Sequence, residues 1–505
     1  MSDPTYNAKS ASFLDWFKAW PGATFHPHIK IEDLRAQGAG RGIGKAWHAR
    51  DSIPMTWCPL INRVVTTADI PEDTVLFTIP RLAIINTQTS DLAKRIPGIF
   101  ATTGLEDADN EADEDGSETS GPPDNWVSLI LVMVYEYLQG DKSHWRPYFD
   151  VLPDKFETLM WWSDQELQQL QASSIVAKIG RDDADSMFRA KVLPLVREHA
   201  SVFYPQGSEQ LSDDQLMLLS HRMGSMIMAY AFDLENDDDD EANAENGEEW
   251  VEDKEGQILM GMVPMADILN ADAEFNAHVN HGEDSLTVTS LRPIPAGEQV
   301  VNYYGPLGNG ELLRRYGYVT HRHTRYDVVE LSWNLILSVL RELLEVDDAT
   351  WGKAINELDP EEVEDAFIVD RDLEEPDSRG EVHDPPAFKH LPEDLREQIH
   401  MFLKAVRKAR AELIPDKRKR DEVTLSAMRR ALELRLAAYG TSAADDMKLI
   451  SGNEISGRHK MAVVVRHGEK VLLQEAINLA NEKISQLALA GQDGHQHSAK
   501  RQRTK

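Results

Sequence analysis

One cysteine, Cys58, stands among 505 residues. That excludes a disulfide framework and a structural zinc site built on cysteine. A reducing compartment, cytoplasm or nucleus, is the expectation. Long apolar runs are also missing. The longest, around Val127 to Tyr135, stops at Glu136. A membrane helix needs roughly 20 such residues. The N-terminal stretch carries Asp3, Asp15 and Lys18 and lacks a signal-peptide core. The reading is a soluble chain with no membrane partner. Basic charge is scarce: Lys and Arg number 53 against 86 Asp and Glu, for a net charge of −33. Nucleic-acid binding by the body of the protein is therefore not expected, because phosphate contacts need a basic surface. A basic protein partner suits the charge better, although acid in loops also serves solubility.

What is present divides the chain. Hydrophobic residues make up 41%, enough for globular cores, and the length calls for at least two domains. Two acidic segments interrupt the pattern, one over 105–121 and one over 233–254. The stretch from Asp233 to Asp253 alone holds 12 acidic residues and no basic one. Such segments repel themselves and are expected as disordered loops. Between Val64 and Asn86 the residues are β-prone, with Pro71 and Pro80 as punctuation. From Asn125 apolar residues recur at three and four (Trp126, Leu129, Ile130, Met133, Tyr137), which predicts helix. Strands return at Ser285–Leu291 and Gln299–Tyr304, around the turn Pro293-Ile294-Pro295-Ala296-Gly297. After Tyr326 the pattern is helical, with stripes over Leu395–Leu413, Leu425–Tyr439 and Val471–Leu487. The chain ends in the basic run Lys500-Arg501-Gln502-Arg503-Thr504-Lys505. Such a run suits a nuclear-import signal and also a plain disordered tail.

The segment Gly38-Ala39-Gly40-Arg41-Gly42-Ile43-Gly44-Lys45 fits no nucleotide motif. Ala39 stands where a phosphate loop needs its first glycine, and Ala46 where it needs Ser or Thr. A backbone able to approach a ligand closely, or a tight turn, remains. Downstream come Met262-Val263-Pro264-Met265-Ala266-Asp267-Ile268-Leu269-Asn270 and Gly297-Glu298-Gln299-Val300-Val301-Asn302-Tyr303-Tyr304-Gly305. Glu311-Leu312-Leu313-Arg314-Arg315-Tyr316-Gly317-Tyr318 follows. Asn309 is a candidate N-cap for a short helix ending at Tyr316, with Gly317 as its C-cap. A strand, turn and helix would then carry Tyr304 and Tyr316 to one end of a sheet. Taken singly these residues are ordinary: a core tyrosine, a turn asparagine, a capping aspartate. The 17 histidines show no ligand spacing, so no metal is expected.

In order and spacing, these segments resemble the SET-domain protein-lysine methyltransferases of the Rubisco large-subunit methyltransferase type. Within that type the chain looks most like the fungal ribosomal lysine N-methyltransferase 4 group. The motifs cover about residues 25–330. The resemblance implies an α+β fold, a SET β-fold with a pseudoknot and a helical insert at about 125–255. An all-α substrate-binding domain over 331–490 and a basic disordered tail over 491–505 would follow. It implies S-adenosylmethionine as cofactor, against Ala39, Gly40, Arg41, Asn270, Ala271 and Tyr316. Tyr316 and Tyr304 would be catalytic, and Asp267, Trp126, Tyr230 and Ala231 would contact substrate. Ala271 departs from the histidine usual after the asparagine. The implied substrate is a basic, non-histone protein of the large ribosomal subunit. Apart from the resemblance, the basic tail gives the nucleus as the expected compartment, with the cytoplasm beside it, and a monomer is expected because nothing suggests an obligate oligomer. A catalytically inactive acidic binding protein or chaperone for basic proteins is the competing expectation, motivated by Ala271 and the acidic loops.

Overall fold

In this computed structural model the described residues are 4–33, 56–57, 62–101, 124–234, 259–360, 362–452 and 454–502. The expected acidic loop over 105–121 lies outside them, as does nearly all of the one over 233–254. So do Cys58 and the segment containing Ala39, Gly40 and Arg41.

The largest sheet has four strands. β1 (Thr24–Phe25), β5 (Val75–Pro80), β10 (Ser285–Ser290) and β9 (Ala277–His281) lie side by side in that order, all neighbours antiparallel. In β10 period-two alternation buries Leu286, Val288 and Ser290 and leaves their neighbours half-buried, as the sequence pattern predicts. In β5, Leu76, Phe77 and Ile79 are fully buried. Each such side chain contributes on the order of 1.5–3 kcal/mol of burial free energy. Two-stranded pieces surround this sheet. β2 (Ile29–Asp33) pairs with β4 (Asn62–Thr66), and β3 (Thr56–Trp57) with β12 (Val319–Thr320). β6 (Ala231–Asp233) pairs with β7 (Met260–Met262), bringing together the two ends of the second acidic segment.

Helix α1 (Pro4–Lys18) inserts Phe13 and Phe17 into the same core. The helical insert is built on α2 (Asn125–Gln139) and α3 (Asp213–Tyr230). Asp124 caps α2 by accepting from the Val127 N–H. Ser212 and Gln215 close a capping box on α3. The apolar positions of α2 extend beyond the one stripe read from spacing. Leu131, Val132 and Val134 are buried too, because this helix is enclosed on all sides.

The C-terminal part is mostly helical, but not all-α as expected. β13 (Val329–Ser332) pairs with β14 (Ala366–Val369), whose Phe367 and Val369 face the second core. The β14 sequence Ala-Phe-Ile-Val is short and lies between Glu361, Glu362, Glu364 and Asp365 on one side and Asp370, Asp372, Glu374 and Glu375 on the other, so its pattern is lost among acidic residues. Around this ribbon pack α5 (Trp333–Leu344), α6 (Glu393–Ala409) and α7 (Lys417–Ala437). The predicted third stripe is one part of a much longer helix, α8 (Gly457–Gln502). At 1.5 Å per residue, its 46 residues extend about 70 Å. Residues 491–502 thus continue a helix where a disordered tail was expected. They contain no proline, and Gly491 and Gly494 are the positions where this helix is weakest.

α8 joins the two halves of the molecule. Met461, Val463 and Val464 pack with Leu159, Trp162, Leu313 and Val319. Farther along, Leu472, Leu473 and Ile477 join the core of the C-terminal part. Between these two apolar stretches sits a buried ionic cluster. Asp446 accepts from Arg466 at 2.8 Å and is paired with Lys470, all three side chains at 3% exposure or less. Glu469 accepts from the hydroxyls of Ser173 and Tyr439 at 2.6 and 2.7 Å.

Candidate active site

The segment after β7 turns sharply. Met265 has φ of +85°, a left-handed conformation that a non-glycine residue adopts at a cost. Asp267 N–H donates to Val263 and Leu269 N–H to Ala266. The turn buries Val263, Met265, Ala266 and Leu269 completely and leads into β8 (Asn270–Ala271). β8 pairs in parallel with β11 (Val301–Asn302), in the register Val301 to Asn270 and Asn302 to Ala271. Asn276 fixes β11 from its other side. Its amide donates to the Gln299 carbonyl and its carbonyl oxygen accepts from Val301 N–H, both at 2.9 Å. The sequence reading passed over Asn276, because nothing local marks a side chain that substitutes for a strand.

β11 is shorter than the predicted strand Gln299–Tyr304, and Tyr303 and Tyr304 leave it in different directions. Tyr303 stacks on Phe275, with ring centroids 4.8 Å apart. The Tyr304 hydroxyl donates to the Leu269 carbonyl at 2.6 Å, immediately before Asn270. Helix α4 (Asn309–Tyr316) then returns the chain. Its N-cap is Gly308, not Asn309. Asn309 is fully buried, accepts from Thr320 N–H through its side chain and donates its own N–H to Asp327. That side chain ties α4 to β12 and is unavailable for capping. Glu311 anchors Arg314 and Arg315 on the outer face, at 2.8 and 3.0 Å.

Gly317 ends α4 as expected, with φ of +77°. A Cβ there would lie 2.8 Å from backbone atoms of Glu157 and Thr158. Both facts require glycine and fix where Tyr316 projects. The Tyr316 ring lies over Tyr304, centroids 4.8 Å apart at 30°, and 6.2 Å from Tyr318. Burial pushes the Tyr316 hydroxyl above its ordinary pKa of 10.0, so it is protonated at neutral pH. Tyr304, Tyr316, Asn270 and Ala271 therefore converge, as the motif order predicts.

The proposed substrate contacts are arranged differently. Asp267 is buried, and its Oδ2 accepts from the Tyr148 hydroxyl at 2.7 Å. Burial raises its carboxyl to about 7, against the Tyr148 hydrogen bond, which lowers it. Tyr230 ends α3, half-buried, within electrostatic reach of Tyr148, and Ala231 opens β6. Tyr148 thus links Asp267 to the Tyr230–Ala231 corner, a connection across 119 residues with no local signal. Trp126 is half-buried near the start of α2 against the main core, and no ring contact among the described residues joins it to the tyrosine pair.

The described residues fit a sulfonium cofactor chemically. Two aromatic ring faces tolerate a cation, and the buried Asn270 amide offers both donor and acceptor. Asp377 and Glu381, half-buried, also cluster with the exposed His383, whose Nε2 meets Asp377 at 2.9 Å. They share no residue with this site. No helix among the described residues is long and apolar enough to cross a membrane.

The comparisons agree with this geometry. The family model for the SET domain matches residues 63–305, and the model for Rubisco LSMT substrate-binding matches 387–473. Ribosomal lysine N-methyltransferase 4 of Saccharomyces cerevisiae is 30% identical over 356 residues, 70% of this chain and 63% of the yeast protein. Human N-lysine methyltransferase SETD6 is 24% identical, over 93% of this chain and 95% of its own length. Among solved structures, Rubisco LSMT bound to AdoMet superposes with a TM-score of 0.56 at 18% identity, covering 96% of this chain and 93% of that one. The SET domain of LSMT bound to MeLysine and AdoHcy gives 0.60 at 17% identity, covering 96% and 94%. At such identities the structures show the shared fold.

Proposed function

The chain belongs to the SET-domain protein-lysine N-methyltransferases with a Rubisco LSMT-type substrate-binding domain, which use S-adenosylmethionine, and from that premise we propose that it methylates lysine on a basic, non-histone protein, a protein of the large ribosomal subunit. The observation that carries the catalytic part is the stacked pair Tyr304 and Tyr316 beside Asn270. The ribosomal part is supported by the yeast relative and by the net charge of −33, which steers a basic substrate inward. The reading includes action as a monomer in the nucleus, supported by the basic run from Lys500 to Lys505.

When bound, S-adenosylmethionine supplies the methyl group as a sulfonium. The residues of this chain have the remaining tasks. A lysine amine must be neutral to attack, and at pH about 7.4 neutralising it costs about 4 kcal/mol. The apolar cluster of Leu312 and Tyr318, with the half-buried Tyr316 packed on it, would disfavour the ammonium and lower that cost. The protonated Tyr316 hydroxyl can both donate and accept, so it can orient the amine. Holding amine and methyl group in line then contributes several kcal/mol more. Asn270 and Ala271 would hold the cofactor from β8. Ala271 sits in the strand register against Asn302, so its part is played by backbone, and the missing histidine leaves that pairing intact.

Incubation with labelled S-adenosylmethionine and dissociated large ribosomal subunits tests this reading. Label on lysine of one ribosomal protein supports it. Cofactor binding without any transfer, to ribosomal proteins or others, favours an acidic binding protein instead.

A further inference from the structure

The net charge of the chain argues against nucleic-acid contact over its body as a whole. One surface departs from that charge. Residues 404–420 hold eight cations (Lys404, Arg407, Lys408, Arg410, Lys417, Arg418, Lys419, Arg420) and two acids (Glu412, Asp416), a local balance of 8 − 2 = +6.

The fold gathers these cations. α6 and α7 form a helical hairpin, and His400 Nε2 lies 3.6 Å from Asp421 across it. Lys404 and Arg407 lie one and two turns beyond that crossing on α6. Lys417 and Arg418 lie one turn before it on α7. All four thus sit at the same end of the hairpin. Lys408, Arg410, Lys419 and Arg420 have carboxylates nearby, on Glu357, Asp347, Glu422 and Asp421. Lys404, Arg407, Lys417 and Arg418 are exposed, and none of them has an ion-pair partner among the described residues.

The placement of Lys417 and Arg418 opposes local stability, whereas Arg407 in the last turn of α6 stands where a cation is favoured. The first turn of a helix is its positive end and favours acid. α7 has no acid in its first turn and places Lys417, Arg418, Lys419 and Arg420 there. Of these, Lys419 and Arg420 have carboxylates nearby, and Asp416 caps the helix, while Lys417 and Arg418 stay exposed at the positive end of α7 with no ion-pair partner among the described residues.

We infer that this end of the α6–α7 hairpin contacts the phosphate backbone of RNA. The choice of RNA among polyanions rests on the ribosomal reading above, because a ribosomal protein substrate lies beside RNA. The contact would dock the C-terminal part on RNA while the tyrosine pair meets its lysine.

The test is fluorescence anisotropy of the full chain with a short fluorescein-labelled single-stranded RNA, titrated over salt. The parent is expected to bind, more weakly as salt rises. The variant Lys404→Gln/Arg407→Gln/Lys417→Gln/Arg418→Gln is expected to lose about tenfold or more in affinity at low salt. Its log–log salt slope should be shallower by about 3, at roughly 0.7 for each phosphate no longer neutralised. Lys417→Gln/Arg418→Gln should show about half that change in slope, with a thermal midpoint no lower than the parent. Lys94→Gln/Arg95→Gln, on another surface, should change neither slope nor affinity. A parent that binds no RNA at low salt, or a quadruple variant with the parental slope, overturns the inference. Loss of binding to a purified nuclear-import adaptor, with RNA affinity unchanged, also overturns it and makes the run an import signal. None of these readouts requires methyl transfer, so the catalytic reading stands or falls separately.

Discussion

The ring of Tyr316 lies 4.8 Å from the ring of Tyr304, and the hydroxyl of Tyr304 is bound to the Leu269 carbonyl. Three separate segments therefore meet at one point: the turn before β8, the exit of β11 and the end of α4. Tyr304→Phe removes the donor to Leu269 and leaves that carbonyl short of a partner, a cost of about 1–3 kcal/mol. The affected backbone leads directly to Asn270. The expected outcome is weaker binding of S-adenosylmethionine, seen by calorimetry, with a smaller change in maximal rate. An unchanged affinity would remove Tyr304 from the cofactor side.

Gly317→Ala should be more damaging than its size suggests. The left-handed φ costs an alanine about 1–2 kcal/mol, and its Cβ would press on backbone atoms of Glu157 and Thr158. α4 would shift and carry Tyr316 with it. Thermal unfolding and the rate of methyl transfer should both fall. A variant with parental stability and rate would show that this helix end tolerates movement.

How much of this was legible follows from how local each signal is. The alternation in β10, the turn at Gly297 and the left-handed end at Gly317 are properties of a few consecutive residues, and all three were read. So was the pairing of Tyr304 with Tyr316, because both sit in short motifs whose order carries the family resemblance. What was missed is held by distant partners. Asn309 looks like a cap until Thr320 and Asp327 claim it. The Asp267 bond to Tyr148 and the clamp of Asn276 on β11 depend on segments folded from afar. The length of α8 was hidden because its buried side changes partners midway, so no single stripe runs through it.

The buried ionic cluster on α8 should respond unequally to its two sides. Asp446→Asn removes the one carboxylate shared by Arg466 and Lys470 and leaves buried positive charge, a loss of about 3–5 kcal/mol. Lys470→Met leaves Asp446 with Arg466 and the Thr441 hydroxyl, so its loss should be smaller. Denaturant titration of both variants measures the difference. Equal losses would contradict the central place of Asp446 in the cluster.

Asp327 gives the fold a pH dependence. Its carboxyl is buried beside Gly468 of α8, whose missing side chain leaves room for it. Burial raises its pKa from 3.8 to about 8. Between those values the native chain holds a proton that the unfolded chain has lost, so stability falls as pH rises from about 4 to about 8. The midpoint of urea unfolding should drop between pH 5 and pH 8 in the parent, and drop less in Asp327→Asn. A parental midpoint that rises over this window would place the charge elsewhere.

Single-turnover transfer from labelled S-adenosylmethionine to large-subunit ribosomal proteins, comparing the parent with Tyr316→Phe, bears on catalysis most closely. The phenylalanine keeps the ring stack and loses only the hydroxyl. The expected result is lysine labelling by the parent and a rate at least about 100-fold lower in the variant, with cofactor affinity within a few-fold of the parent. Equal rates in parent and variant would contradict the assignment of Tyr316 as the catalytic tyrosine.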